Sequence, residues 1–112
     1  MKVYLGLSQD THRTVKKLVV LDQGRVIKST VFDPIEHETL GPKVRFDWGT
    51  NSVGAILLEM SLFADVVGKK QAGELVAKSD HRWIADLSRI GWSVTEFDVM
   101  AIADTIEKAG AK

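Results

Sequence analysis

The chain has 112 residues with 15 basic and 15 acidic side chains, so its formal net charge is zero, and it contains no cysteine. This length predicts a single domain over residues 1–112, and the lack of cysteine excludes disulfides and thiolate metal sites. The N-terminus has no secretory apolar run, and the most apolar stretch is too short to span a bilayer. We therefore expect a cytoplasmic protein without a membrane partner.

Basic residues are concentrated near the N-terminus, where residues 1–30 hold six Lys or Arg against two Asp or Glu. This density is too low for the basic stripe expected of a duplex-binding protein, and the two strand aromatics, Tyr4 and Phe32, are too few for a base-stacking platform. We therefore expect no nucleic-acid partner. The candidate basic face consists of Arg13, Lys16, Lys17, Arg25 and Lys28.

Three β-strands are predicted in the first third of the chain. Apolar residues alternate with other residues over residues 2–7, which is typical of a half-buried strand. Two β-branched segments, Thr14 to Leu21 and Arg25 to Phe32, flank a short loop in which Gly24 suits the left-handed position of a hairpin. This pattern predicts a three-stranded antiparallel meander.

The region after the meander is interrupted by Pro34 and by Gly41-Pro42, and the sequence leaves open whether residues 33–43 are ordered. Lys43 to Phe46 is a candidate fourth strand. Glu36-His37-Glu38 offers metal-capable side chains, but no second pair of ligands stands at a recognised metal spacing. We therefore expect neither a metal site nor any other cofactor.

The most apolar segment of the chain runs from Phe46 to Gly68. Its apolar residues recur at three-and-four spacing after a cap among Thr50, Asn51 and Ser52, and they cover most of the helix circumference. Gly68 suits a left-handed cap that ends this helix. The segment is expected to form the centre of the core and to leave excess apolar surface for a partner.

Two further helices are predicted in the C-terminal half. Lys69 to Ile90 has the pattern of one amphipathic helix that could break at Ser79-Asp80, and Trp92-Ser93-Val94 is a short extended segment. The last helix runs from about Thr95 to Lys108 and begins with a capping pair of Thr95 and Asp98. Since the strands precede the helices, we predict an α+β fold: a small antiparallel sheet of about three to four N-terminal strands, packed by two or three C-terminal helices.

A candidate ligand site lies at the N-terminus of the core helix, where free amides and the helix dipole can hold an anion. It consists of Asp47, Trp48, Thr50, Asn51 and Ser52. The stretch matches neither the Walker pattern nor the dinucleotide fingerprint. A capped helix with Trp48 buried beneath it is the simpler interpretation, and His81 or Arg82 would assist if a ligand binds.

Ser79, Asp80 and His81 stand side by side, but this proximity does not predict a catalytic triad. Neighbours on a helix point about 100° apart, whereas a nucleophile, a base and an orienting group need a chain of hydrogen bonds in space. The sequence has no nucleophile elbow. We therefore predict no catalytic residue, with Trp83 in the core and His81 and Arg82 at the surface.

Several short motifs together carry a family resemblance: Tyr4-Leu5-Gly6, Phe46-Asp47-Trp48-Gly49, Ala64-Asp65 and Gly91-Trp92-Ser93-Val94-Thr95. On these motifs the chain resembles domain of unknown function 6166, an uncharacterised family of small bacterial proteins, some of them from phages and other mobile elements. The chain departs from the family at residues 50–53, where members are richer in glycine. The resemblance implies an accessory, phage-borne context and supplies no catalytic residues.

The sequence thus predicts a non-enzymatic protein that acts through protein–protein contact, with a homodimer seam or a partner face on the core helix. In a phage context the concrete hypothesis is an inhibitor of a host defence complex, steered to its partner by charge. The alternative is a small-ligand or nucleotide-binding protein, or an enzyme, that uses the loop from Trp48 to Ser52.

Overall fold

The structure is a computed structural model that describes residues 1–9, 12–21, 23–32, 45–50 and 52–110. One antiparallel sheet has the order β3-β2-β1-β4, and its strands are β1 (Lys2–Gln9), β2 (His12–Val20), β3 (Val26–Val31) and β4 (Gly91–Thr95). The helices are α1 (Val53–Val67), α2 (Lys69–Lys78), α3 (Arg82–Ala85) and α4 (Glu96–Gly110). The predicted α+β class is confirmed, and no described helix is long and apolar enough to cross a membrane.

The predicted meander is confirmed as β1, β2 and β3, and Gly24 has the positive φ, 80°, that its hairpin position requires. The prediction of a fourth strand at Lys43 to Phe46 is wrong over its described part, because Arg45 and Phe46 are not in a strand. The fourth strand is β4, which lies beside β1. The sequence predicted that Trp92-Ser93-Val94 is extended but did not show that this segment joins the sheet.

Gly6 explains how β4 is seated beside β1. Gly6 lies opposite Trp92 in the register, and a Cβ atom on Gly6 would overlap the Trp92 indole. The missing side chain therefore lets the indole lie across β1 and meet Trp48, with the two ring centroids 5.6 Å apart in an edge-to-face arrangement. This contact connects the sheet to the loop that precedes α1.

The core helix is confirmed as α1, with Ser52 as its N-cap. Gly68 follows its last residue with a positive φ of 97°, but the predicted left-handed cap is wrong because the ψ of Gly68 is 157°, outside the left-handed helical region. Leu58, Leu62 and Phe63 are fully buried. The structure describes every residue of α1, and among its large apolar residues Val53 alone is exposed. The apolar surface of α1 is therefore largely covered. Most of the exposed large apolar residues among those described lie on or beside the sheet, and the others include Ile90, before β4, and Phe97 and Met100, on α4.

The single helix predicted over Lys69 to Ile90 is interrupted at the expected Ser79-Asp80 break. Ser79 has extended backbone angles and His81 is left-handed, with φ 62°. The expectation of a helix up to Ile90 is wrong, since α3 ends at Ala85 and Ile90 is 87% exposed.

The predicted start of α4 is confirmed by a reciprocal capping box. The backbone N–H of Thr95 donates to Asp98 Oδ2 at 2.9 Å, and the N–H of Asp98 donates to Thr95 Oγ1 at 3.1 Å. Thr95 is also the last residue of β4, so the box fixes the turn from strand to helix. Val99 and Ala103 then point into the core.

Candidate functional site

The loop before α1 is organised by the carboxylate of Asp47. Oδ1 accepts the backbone N–H of Trp48 at 2.9 Å, and Oδ2 accepts the hydroxyl groups of Ser52 at 3.1 Å and Thr50 at 3.3 Å. The hydroxyl oxygen of Ser52 in turn accepts the N–H of Ala55 at 3.3 Å, which caps the helix. The loop thus uses its own polar groups to hold its shape.

Arg13 joins this loop to the sheet. Its Nη1 donates to Asp47 Oδ1 and, at 2.6 Å, to the carbonyl oxygen of Trp48, and the guanidinium lies 5.0 Å from the Trp48 ring centroid. Burial alone would raise the pKa of Asp47, but the Trp48 N–H, the Ser52 hydroxyl and the Arg13 charge together lower it. Asp47 is therefore ionised and fully paired at neutral pH.

This geometry bears on the ligand site predicted at the N-terminus of α1. Asp47 already provides the negative charge beside Thr50 and Ser52 that an anionic ligand would supply, and Trp48 is fully buried. The arrangement matches the simpler interpretation, a capped helix with Trp48 beneath it. Asn51 lies outside the described residues, and ligand binding at this loop stays a prediction.

A second polar cluster surrounds Glu59, which is fully buried in α1. Glu59 Oε2 accepts Trp83 Nε1–H at 2.6 Å and the Ser79 hydroxyl at 2.8 Å, while Oε1 lies 2.7 Å from His81 Nδ1. A buried carboxylate is stable only when donors satisfy it. The segment from Ser79 to Trp83 supplies its partners, and the chain leaves the helical conformation at Ser79 and His81 before Trp83 enters α3.

The Glu59 cluster also shows how Ser79 and His81 are arranged. The Ser79 hydroxyl donates to Glu59, and its oxygen accepts the backbone N–H of His81 at 2.9 Å. The arrangement therefore differs from a serine–histidine pair in which the imidazole takes the hydroxyl proton. Arg82 is exposed, and its N–H donates to Asp80. Within the described residues, no hydrogen bond or ion pair joins His81 or Arg82 to the Asp47 loop.

The sequence did contain a signal for the Glu59 cluster. A carboxylate on an otherwise apolar helix needs buried donors, and Ser79, His81 and Trp83 follow at alternate positions. The sequence does not show the backbone that brings these donors together, since Ser79 is extended, His81 is left-handed and Trp83 lies in α3.

A third cluster joins the C-terminal half of α1 to the sheet. Asp65 accepts the Tyr4 hydroxyl at 2.6 Å and the Lys17 ammonium at 3.0 Å, and Lys2 Nζ lies 3.4 Å away. Burial, followed by the hydrogen bond to Asp65, raises the pKa of Tyr4 above its usual range. Burial would raise the pKa of Asp65, but Tyr4 and the two lysines lower it overall.

The five residues of the predicted basic face lie on different sides of the sheet. Arg13 and Lys17 point toward the helices, where they pair with Asp47 and Asp65. Lys16 lies between them in β2 and therefore points to the opposite side. Lys28 is paired with Val19, two residues from Lys17, on the helix side. Arg25 is exposed between β2 and β3. The structure does not bring the five together.

The side of the sheet opposite the helices forms a second surface, the open face. Residues paired in register share one side of a sheet, and the register of β1, β2 and β3 therefore defines this face. The bulge between Val19 and Val20 turns both Val26 and Ile27 to the same side. The apolar residues of the open face are Met1, Val3, Leu5, Leu7, Leu18, Val20, Val26, Ile27 and Val31.

The open face is most exposed along the edge strand. All six residues of β3 are exposed, and Val26, Ile27 and Val31 are 49%, 55% and 60% exposed. Lys16 stands within the face, between Leu5 and Val31 in the register. Among the described strand residues, the open face is therefore an apolar surface with one basic side chain, Lys16, near its middle.

Comparisons with protein-family models, with curated proteins and with solved structures found no match. The resemblance seen in the sequence therefore stays a prediction. Among the residues that the structure describes, no group of three or more His, Asp or Glu side chains is placed to hold a metal ion. Residues 36–38, the segment considered for metal binding, lie outside the described residues.

Proposed function

We propose that the protein acts in the cytoplasm by binding a partner protein through the open face of its sheet. The observation that carries this proposal is the convergence of apolar side chains from three neighbouring strands, with Val26, Ile27 and Val31 about half exposed or more. Scattered apolar residues on a surface need no explanation, but a contiguous apolar patch marks an interaction site.

Lys16 indicates the chemistry of the partner. Its ammonium would lose water when the face is covered, and a desolvated charge needs an opposite charge beside it. The partner should therefore present apolar side chains around a carboxylate that meets Lys16. A second copy of the chain would bring a second Lys16, and none of the described strand residues on the open face is acidic. The charge thus favours a different protein over a homodimer.

The family resemblance supports a more specific version of the proposal. In a phage or mobile element, a small accessory protein that covers a surface on a host complex would inhibit that complex without chemistry of its own. We therefore propose a host defence complex as the class of partner. The open face would cover the surface that this complex uses for its own assembly or substrate.

The test compares two charge reversals on neighbouring strands. Lys16→Glu changes the open face, whereas Lys28→Glu changes an exposed lysine on the opposite side of the sheet. The partner is isolated with the wild-type protein as bait and purified, and its affinity for each variant is measured by calorimetry. Like charges in an interface cost several kcal/mol, so we expect Lys16→Glu to weaken binding about a hundredfold and Lys28→Glu to change it less than about threefold.

Two results would contradict the proposal. If both variants bind as the wild type does, or if Lys28→Glu has the larger effect, the partner does not use the open face. If light scattering shows a dimer of the isolated protein that Lys16→Glu dissociates, a second copy occupies the face instead of a different protein.

A further inference from the structure

A groove of about 420 Å³ lies on the helical side of the molecule, between the segment from Ser79 to Asp86 and α4. Its apolar lining comes from Trp83, Ala101, Ile102 and Ile106, and its polar lining from Ser79, Asp80, Arg82, Asp86 and Thr105. Sites for small molecules have volumes of roughly 300–1,000 Å³ and are mostly apolar with a few polar groups. The groove has both properties, and it lies on the side of the sheet away from the open face.

One wall of the groove, formed by the segment from Ser79 to Asp86, is held in place by the Glu59 cluster. Trp83 Nε1–H donates to the buried Glu59 carboxylate at 2.6 Å, and the Trp83 ring lies against Phe63 with centroids 5.6 Å apart. Ser79, at the other end of the wall, donates to the same carboxylate. A binding wall fixed before the ligand arrives avoids the entropy loss of ordering it on binding.

The charges that line the groove are Asp80, Arg82 and Asp86, which leave one net negative charge. Asp80 Oδ1 accepts the backbone N–H of Arg82 at 3.0 Å. The backbone N–H of Asp86 donates to the Arg82 carbonyl oxygen, and within the described residues the Asp86 carboxylate forms no hydrogen bond or ion pair. Neither carboxylate pairs with the Arg82 guanidinium in that part of the chain. Each acid therefore retains oxygen atoms that can accept hydrogen bonds from a ligand.

We propose that this groove binds a small organic amine that carries an apolar body. The body would lie on Trp83, Ile102 and Ile106, and the ammonium group would pair with the carboxylates of Asp80 and Asp86. This site is independent of the open face, and it differs from the anion site predicted at residues 48–52. The charge complementarity excludes an anionic ligand as the preferred occupant.

The test uses three probes of the same shape and different charge: 4-phenylbutylamine, 4-phenylbutan-1-ol and 4-phenylbutanoate. Each is titrated into the full chain while the assigned indole N–H signal of Trp83 and the amide signals of Ala101 and Ile102 are followed by NMR. We expect saturable shifts with the amine, about fivefold weaker binding of the alcohol, which is the upper range for an exposed ion pair, and the weakest binding of the carboxylate.

The variant pair isolates the two carboxylates. Asp80→Asn with Asp86→Asn should reduce binding of the amine to that of the alcohol. As a control, Asp104→Asn removes an exposed acid that lies on α4 and does not line the groove, and it should leave the amine affinity unchanged. Unfolding curves show whether each variant is folded, and the comparison of amine with alcohol within one variant does not depend on its stability.

Several results would overturn the proposal. Equal binding of amine and alcohol to the wild type would mean that the carboxylates do not select charge. Tighter binding of the carboxylate probe would mean that Arg82 sets the preference. Absence of saturable shifts, or binding of a lysine-containing pentapeptide without binding of the amine, would exclude a small amine as the occupant.

Discussion

Replacing Glu59 should destabilise the fold far more than replacing an exposed glutamate. The carboxylate is fully buried, accepts hydrogen bonds from Ser79 at 2.8 Å and Trp83 at 2.6 Å, and lies 2.7 Å from His81 Nδ1. Glu59→Ala leaves these donors without an acceptor, and removal of one partner from a buried charged network costs about 3–5 kcal/mol. Glu59→Gln keeps the volume and one acceptor oxygen, so we expect a loss of about 1–2 kcal/mol.

The assay is urea unfolding followed by far-ultraviolet circular dichroism, with Glu74→Ala on the exposed side of α2 as the control. The control should change the free energy of unfolding by less than about 0.5 kcal/mol. The ranking expected is Glu59→Ala, then Glu59→Gln, then the control. The reasoning would be refuted if Glu59→Ala and Glu74→Ala fell within about 0.5 kcal/mol of each other, since the buried hydrogen bonds would then contribute almost nothing.

Three further predictions use the same unfolding measurement. Gly6→Ala should destabilise the fold by about 1–3 kcal/mol because its methyl group overlaps the Trp92 indole. Gly73→Ala, with open space around it, should stabilise the fold by about 0.5–1 kcal/mol. Equal effects of the two substitutions would contradict the packing of Trp92 against Gly6. Thr95→Ala should cost about 1 kcal/mol by removing half of the capping box, and no change would mean that Asp98 caps α4 alone. The pKa of Asp65 is lowered in the fold, so its contribution is present above the unfolded value of 3.8 and is lost as pH falls through the folded value. Asp65→Asn should therefore flatten the loss of stability in acid, and an unchanged acid limb would show that Asp65 is not the group responsible.

Local patterns in the sequence predicted those parts of the fold that depend on neighbouring residues. The three-and-four spacing of apolar residues located α1. Gly24 and Gly68 marked two positions with positive φ, and the pair of Thr95 and Asp98 marked the start of α4. Each of these signals depends only on residues a few positions apart, and tertiary packing does not override it.

The features that were missed depend on partners distant in the chain. β4 is a strand because Gly6, more than eighty residues earlier, leaves room for Trp92. The break at Ser79-Asp80 was expected but its cause was not, since Ser79 and Trp83 donate to Glu59 in a different helix. In both cases the periodicity of a segment does not show which distant residue the segment contacts.

The excess apolar surface predicted on α1 is largely covered in the structure for a related reason. The apolar circumference of α1 indicated excess surface on the helix, but α2, α4 and the sheet cover most of it. The uncovered apolar surface lies on the side of the sheet opposite the helices, and the pattern of one strand does not show which of its two sides the helices cover.

The most direct test of the open face is site-specific photo-crosslinking in host cells. A photoreactive phenylalanine analogue is placed at Val31, on the open face, or at Thr30, its exposed neighbour on the other side of β3. We predict that the Val31 position forms a discrete covalent adduct with one protein other than the chain itself, and that the Thr30 position forms none. Adducts from Thr30 alone, or equal labelling at both positions, would contradict the claim that the open face binds the partner.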